Sequence, residues 1–216
     1  MQKELLDQLE TPCIVIDMAR TEENVIRMQA EADAAGCRLR PHIKTHKMPL
    51  FTRMQLAHGA AGITCAKVSE AEVMADGGAE DIFIAYPMVG DFRIKRAIAL
   101  AGRLKRLILA VDSMECAVPL NEAAKAAGIT LEVRLEVDTG AKRTGVQRTK
   151  AAELAKEVHQ LSNLNLTGIY TFKSLVYHDE PTEDKVIAGA EEGDMMEAIA
   201  EEIRKAGVPI AEISAG

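Results

Sequence analysis

Tryptophan is missing from this 216-residue chain and aromatic residues make up only 3% of it, so its core has to be aliphatic. Cysteine is scarce and scattered: Cys13, Cys37, Cys65 and Cys116 form no CxxC pair. That pattern speaks against zinc or a disulfide framework and fits small buried residues in a reducing compartment. No apolar run approaches the ~20 residues that a membrane helix needs. The N-terminus, MQKELLDQLE, is charged and helical in character, without the apolar centre of a signal peptide. A cytoplasmic protein with no membrane partner is the expectation. Basic charge is also short, with a formal net charge of −7. Nucleic acid is therefore not an expected partner, because no basic face offsets phosphate repulsion. No GxGxxG follows the first strand and no Walker A motif is present, so dinucleotide and P-loop readings lose support. No linker, internal repeat or low-complexity segment divides the chain.

What is present is alternation. Short β-rich runs occur at 13–17 (CIVID), 38–44 (RLRPHIK), 62–66, 81–87 (DIFIAYP), 106–112, 131–137 (LEVRLEV), 166–172 and 210–216. Between them lie Ala- and Glu-rich helical stretches at about 20–35, 48–58, 68–77, 90–102, 114–127, 149–161 and 184–206. Glycines punctuate the helix ends, and Asp112-Ser113 offers an N-cap before MECAV. Repeated βα units imply a parallel sheet covered on both faces. Lys44, Tyr86, Asp112, Arg143, Tyr170 and Ser214 each fall just after a strand. That spread favours a (β/α)8 TIM-like barrel over an open sheet, because a barrel assembles its site from many strand ends. The chain stops at SAG, where a strand ends and a loop begins, which suggests part of a longer protein.

The stretch RPHIKTHK, 40–47, is too polar for an ordinary buried strand. Read as a strand, it turns Arg40, His42 and Lys44 to one face. A lysine at a barrel strand's C-terminal end, beside other cations and partly desolvated, has its pKa lowered and becomes a nucleophile toward carbonyls. On spacing alone, a solvated basic strand end remains the other reading. His42 and His46 do not form a metal pair, since the i, i+4 relation requires a helix.

RPHIKTHK resembles the lysine motif of the fold-type III pyridoxal-phosphate enzymes of the D-threonine aldolase and D-serine dehydratase family, distant relatives of alanine racemase. The resemblance runs the length of the chain. It takes in TPCIVID near the start, GITCAKVSEAEVMADGGAEDIFIAYPMVG after the lysine stretch, the arginine turn VDTGAKRTGV, and the terminal SAG. It implies the barrel of the alanine racemase type, with a C-terminal β domain largely missing from this chain. Residues 1–18 would carry a first strand that packs with that β domain. Residues 19–216 would form the pyridoxal-phosphate barrel, incomplete at its C-terminus, with seven strands that begin at the lysine strand.

The resemblance also assigns roles. Lys44, rather than Lys47, holds the cofactor, and His42 orients the lysine or the cofactor. Arg143 approaches the phenolic oxygen, while Gln147, Tyr170 and Tyr177 match cofactor-contacting positions. Ser214 and Gly216 begin the phosphate loop. A divalent metal would be held by the missing C-terminal region. The implied activity is lyase chemistry on D-3-hydroxy amino acids, by D-threonine aldolase-like cleavage to glycine and an aldehyde. D-serine dehydration is the alternative, followed by racemisation or a non-catalytic pyridoxal-phosphate-binding role. The family tends toward dimers, so a homodimer acting on a small D-amino acid is expected. The segment FKSLVYHDEPTEDK (172–185) departs from the family's Gly- and His-bearing stretch, which puts the exact substrate in doubt.

Overall fold

The computed structural model describes residues 7–216, so the helical reading of the first six residues lies outside the described residues. Helices α1 (Met18–Ala34), α2 (Pro49–Ala57), α3 (Val68–Asp76), α4 (Asp91–Ala101), α5 (Met114–Ala126), α6 (Ala151–His159) and α7 (Lys185–Lys205) alternate with the strands. The main strands are β1 (Ile63–Cys65), β2 (Asp81–Pro87), β3 (Arg106–Val111), β4 (Leu131–Asp138), β6 (Leu164–Tyr170) and β9 (Glu212–Ser214). They lie in the order β1-β2-β3-β4-β6-β9, with every neighbouring pair parallel. Strand β5 (Val146–Gln147) adds to the end of β4, and β7 (Val176–Tyr177) pairs with β8 (Glu180–Pro181) in a separate hairpin. This is a parallel, helix-covered sheet, as the alternation predicts.

Side-chain alternation sorts the sheet into two layers. On β2, Ile82 and Ile84 join the large core between sheet and helices, while Phe83 faces the inside with Ile108, Ala110 and Tyr170. On β4, Leu131, Val133, Leu135 and Val137 face the helices, which leaves Glu132, Arg134 and Glu136 inside. Each buried aliphatic side chain contributes ~1.5–3 kcal/mol, so the helix-side layer carries most of the stability. Helix ends follow local chemistry: the Ser113 hydroxyl accepts the Cys116 N–H at 3.3 Å, and the Asp184 carboxylate accepts from Val186 and Ile187.

The inside of the sheet at its N-terminal end is ionic. Arg40 meets Asp81 at 2.6 Å, and Arg106 meets Glu132 at 2.5 Å and Glu212 at 3.1 Å. Glu212 also pairs with Arg38 at 2.6 Å and with the buried Arg134, whose guanidinium lies 5.1 Å from the Phe83 ring centre. On β6 the residue Thr167 is extra: Val133 pairs with Leu166 and Arg134 with Gly168. Its hydroxyl donates to Glu132 at 2.7 Å. A side chain at Gly168 would run into the Glu212 carbonyl, so only glycine fits between these strands.

Two strand expectations fail. Residues 13–17 take no ladder partner among the described residues, and Ile14 is 93% exposed. The β-branched run lacks a neighbour here, and without one it is not a strand. The 38–44 strand shrinks to a single bridge, His42 to Thr64. Pro41 removes a ladder donor, and Ile43, fully buried, pins the chain into a 3-10 turn over Ile43–Thr45. Arg40, His42 and Lys44 therefore do not line one wall: Arg40 is taken up by the ionic layer, and Lys44 sits on the turn.

Candidate active site

The opposite, C-terminal end of the sheet collects the candidate residues. The His42 Nδ1 accepts the Lys44 backbone N–H at 3.2 Å and so caps the turn that presents Lys44. Burial, and then the neighbouring Lys44, push His42 down to about 4, so the ring is neutral at physiological pH. The Lys44 side chain is exposed rather than partly desolvated, and its Nζ lies 5.1 Å from the ring centre of Phe172. Lys47 is committed elsewhere: it has φ 54° and pairs with the buried Glu70 at 2.5 Å. Burial opposes ionisation of Glu70, but Lys47 and the Ala66 N–H outweigh it and hold the carboxyl below its usual range.

Arg143 reaches the same aromatic ring from the turn after β4, with its guanidinium carbon 5.8 Å from the Phe172 centre. The turn is tightly determined. The Asp138 carboxylate accepts from Gly140 N–H at 2.9 Å and Lys142 N–H at 3.0 Å. Gly145 has φ 100°, and a Cβ there would lie 2.7 Å from the Asp138 nitrogen, so both conformation and space demand glycine. Thr144 donates to Glu136 Oε1 at 2.7 Å.

Tyr170 closes the inner end of the site. Its ring packs edge-on against Phe83 at 4.8 Å, and its hydroxyl is buried. Burial and then the Glu136 charge push this phenol well above its ordinary value; burial pushes the Glu136 carboxyl up as well. The Tyr170 hydroxyl and Glu136 Oε2 are both buried, and neither has a hydrogen-bond partner among the described residues. Leaving such groups unmatched costs ~1–3 kcal/mol each, the mark of a site prepared for something else.

Ser214 lies beside Tyr170 by strand register, and its carbonyl accepts the Thr171 N–H at 3.0 Å. The terminal Ala215 and Gly216 share with Phe172 a cleft of about 450 Å³. Phe172 thus has the Lys44 and Arg143 cations over its ring and shares a cleft with Ala215 and Gly216. Gln147 and Tyr177 are not gathered there. Gln147 is exposed on β5 and lines a separate cleft of about 400 Å³ with Lys142 and Asp179. Tyr177 sits on the β7–β8 hairpin with its ring 3.9 Å from that of His178.

The divergent segment is fastened to α7. Lys173, 1% exposed, pairs with Glu191, which also meets the His178 ring at 2.8 Å, while the Lys173 N–H donates to Glu192 at 2.6 Å. No cluster of three metal-ligating side chains occurs among the described residues, and no helix is long and apolar enough to cross a membrane. Phe172 and Glu136 were not singled out from sequence, although strand alternation places Glu136 on the inward face of β4.

The arrangement fits pyridoxal phosphate: an amine at the mouth, an aromatic face, an arginine, and a buried hydroxyl in want of a partner. The chain is 33% identical over 215 residues to D-threonine aldolase of Arthrobacter sp, covering 98% of this chain and 56% of that protein. It is 36% identical over 220 residues to D-threo-3-hydroxyaspartate dehydratase of Delftia sp. (strain HT23), covering 100% of this chain and 57% of that protein. The solved D-threonine aldolase from Filomicrobium marinum superposes with a TM-score of 0.88 at 32% identity, over 96% of this chain and 56% of that one. The chain therefore spans little more than half the length of the relatives it matches. The family described as "Alanine racemase, N-terminal domain" matches residues 16–216. The chain belongs to that family, in the branch of fold-type III pyridoxal-phosphate enzymes that holds D-threonine aldolase and D-serine dehydratase.

Proposed function

We propose that this chain is the cofactor-binding part of a pyridoxal-phosphate-dependent lyase that cleaves D-3-hydroxy amino acids to glycine and an aldehyde. The observation that carries the reading is the Phe172 ring shared by the Lys44 amine and the Arg143 guanidinium, together with the buried Tyr170 hydroxyl two residues earlier in the chain. Lys44 would hold the cofactor's aldehyde carbon, Arg143 its phenolic oxygen and Tyr170 its ring nitrogen. Ser214 and Gly216 would offer backbone N–H groups to its phosphate. Gln147 and Tyr177 complete the set that the resemblance assigns. Bound there, pyridoxal phosphate supplies an electron sink for the bond broken at the substrate Cα.

The protein's own residues do the rest. His42 caps the turn so that the Lys44 amine faces the mouth. Being neutral, His42 adds no charge beside that amine. Phe172 covers the site with an apolar face that keeps water from one side. A divalent metal belongs to this reading as a group bound by residues after Gly216, where it would acidify the substrate hydroxyl. Division into a segment 1–18 and a barrel 19–216, and assembly as a homodimer in the cytoplasm, are further parts of it.

Dehydration is the second reading, favoured by the 36% identity to a dehydratase. The test is a titration with pyridoxal phosphate followed by product analysis. A yellow absorbance band is expected in wild type and in Lys47→Ala, and none in Lys44→Ala. Aldehyde and glycine from D-threonine mark the lyase proposed, whereas a keto acid and ammonia from D-serine or D-3-hydroxyaspartate mark the dehydratase. A band that survives Lys44→Ala refutes the lysine assignment.

A further inference from the structure

We propose that Glu136 is a positioning residue of the cofactor site: one carboxyl oxygen fixes the turn that carries Arg143, and the other orients the Tyr170 hydroxyl. The proposal rests on the cofactor reading above. Glu136 sits on the inward face of β4, two residues before the turn, and is 5% exposed. Its Oε1 accepts the Thr144 hydroxyl at 2.7 Å, directly next to Arg143 in the chain. The turn leaves no slack around it, since a Cβ on Gly145 would lie 3.2 Å from the Glu136 Cγ. Glu136 and Tyr170 are register partners on adjacent strands, and Glu136 Oε2 and the Tyr170 hydroxyl are each buried without a hydrogen-bond partner among the described residues.

A buried carboxyl with one oxygen spent and one held back toward a phenol is a costly arrangement for a merely structural residue. Leucine or methionine would fill the same space on the inside of β4, beside Tyr170 in register. The carboxyl is explained if it acts on two neighbours at once. It gives the Arg143 turn a fixed anchor, and it presents an acceptor that turns the Tyr170 proton one way or the other. The charged and titratable groups around it come from every adjoining element: Asp112 at the end of β3, Cys116 on α5, Arg143 on the turn and Tyr170 on β6. Burial raises the Glu136 carboxyl, Thr144 and Tyr170 oppose it, and Asp112 and Arg143 act in opposite directions more weakly.

The test uses Glu136→Gln, Glu136→Ala and Thr144→Val. In the protein without cofactor, hydrogen exchange of the amides across 139–146 is expected to accelerate about tenfold in Glu136→Ala and in Thr144→Val. Glu136→Gln keeps an oxygen for Thr144 and is expected to hold the turn. With pyridoxal phosphate, Glu136→Ala is expected to bind about tenfold more weakly. Glu136→Gln is expected to shift the pH midpoint of the Lys44-dependent absorbance by ~0.5 units downward, because the negative charge beside Arg143 and Tyr170 is gone from the site. A residue needed only for packing would lower thermal stability in all variants and leave that midpoint and the affinity as in wild type; this result overturns the proposal. Should wild type show no Lys44-dependent band, the cofactor reading fails, and the exchange measurement alone then decides whether Glu136 holds the turn. If Glu136→Ala does not fold, the glutamine and Thr144 variants decide.

Discussion

Replacing Glu212 with glutamine probes the ionic layer under the sheet. Its carboxylate is 17% exposed and meets Arg38, Arg106 and Arg134. Burial works against its ionisation, but the three arginines outweigh burial and pull it from 4.5 down to about 2. A native value below the unfolded one means stability that is fully present above pH 4.5 and lost as pH falls through about 2. The gap of about 2.5 pH units corresponds to ~3.4 kcal/mol at pH 7 and ~1.4 kcal/mol at pH 3. Arg134 is itself pushed down by burial despite its pairing, so part of the gain is offset and the first figure is a ceiling. Urea unfolding of wild type and Glu212→Gln at the two pH values measures both figures. We expect a loss of ~2–3 kcal/mol at neutral pH that shrinks by more than half in acid. A loss below ~1 kcal/mol at pH 7, or one that does not change with pH, refutes the argument.

Two further outcomes follow from local geometry. Gly145→Ala places a Cβ against the Asp138 nitrogen at positive φ, and is expected to cost ~1–3 kcal/mol in thermal unfolding and to weaken pyridoxal phosphate binding by displacing Arg143. Burial pushes the Cys65 thiol up to about 12 and Cys116 to about 11, whereas Cys13 and Cys37 are exposed. A thiol reagent at pH 8 is therefore expected to label Cys13 and Cys37 rapidly in the native protein, with Cys65 and Cys116 reacting only after denaturation.

Local pattern carried much of the architecture. DIFIAYP was legible as a strand with its true limits because its nearly continuous apolar run contains β-branched residues and is bounded by glycines before it and after it. Ser113 and the long helix before Lys205 were equally legible from caps and composition. The lysine stretch misled because its polar alternation mimics a strand, while Pro41 and the anchoring of Ile43 favour a turn that no periodicity reveals. CIVID has strand chemistry and no partner, and pairing is a tertiary property. Tyr170 was ambiguous for a third reason: strict alternation from Leu164 and Leu166 would point it toward the helices, and only the extra residue at Thr167 turns it inside. Lys44, Arg143, Tyr170 and Ser214 were singled out from motif and strand ends. Phe172 was missed because an aromatic after a strand reads as core, and Glu136 because its neighbours in LEVRLEVD draw the eye to the hydrophobic face.

The unequal fate of the cations has a kinetic consequence. Arginines below the sheet and Lys47 beside it are neutralised by carboxylates, whereas Lys44 and Arg143 lean on an uncharged arene. A molecule whose formal charge is −7 thus carries two cations over one aromatic ring at this spot. Polyanions approaching from a distance are drawn to that spot before any contact forms, and the attraction fades as ionic strength rises. Arrival at the mouth is faster in dilute salt than in concentrated salt, although the surface as a whole repels the same visitors.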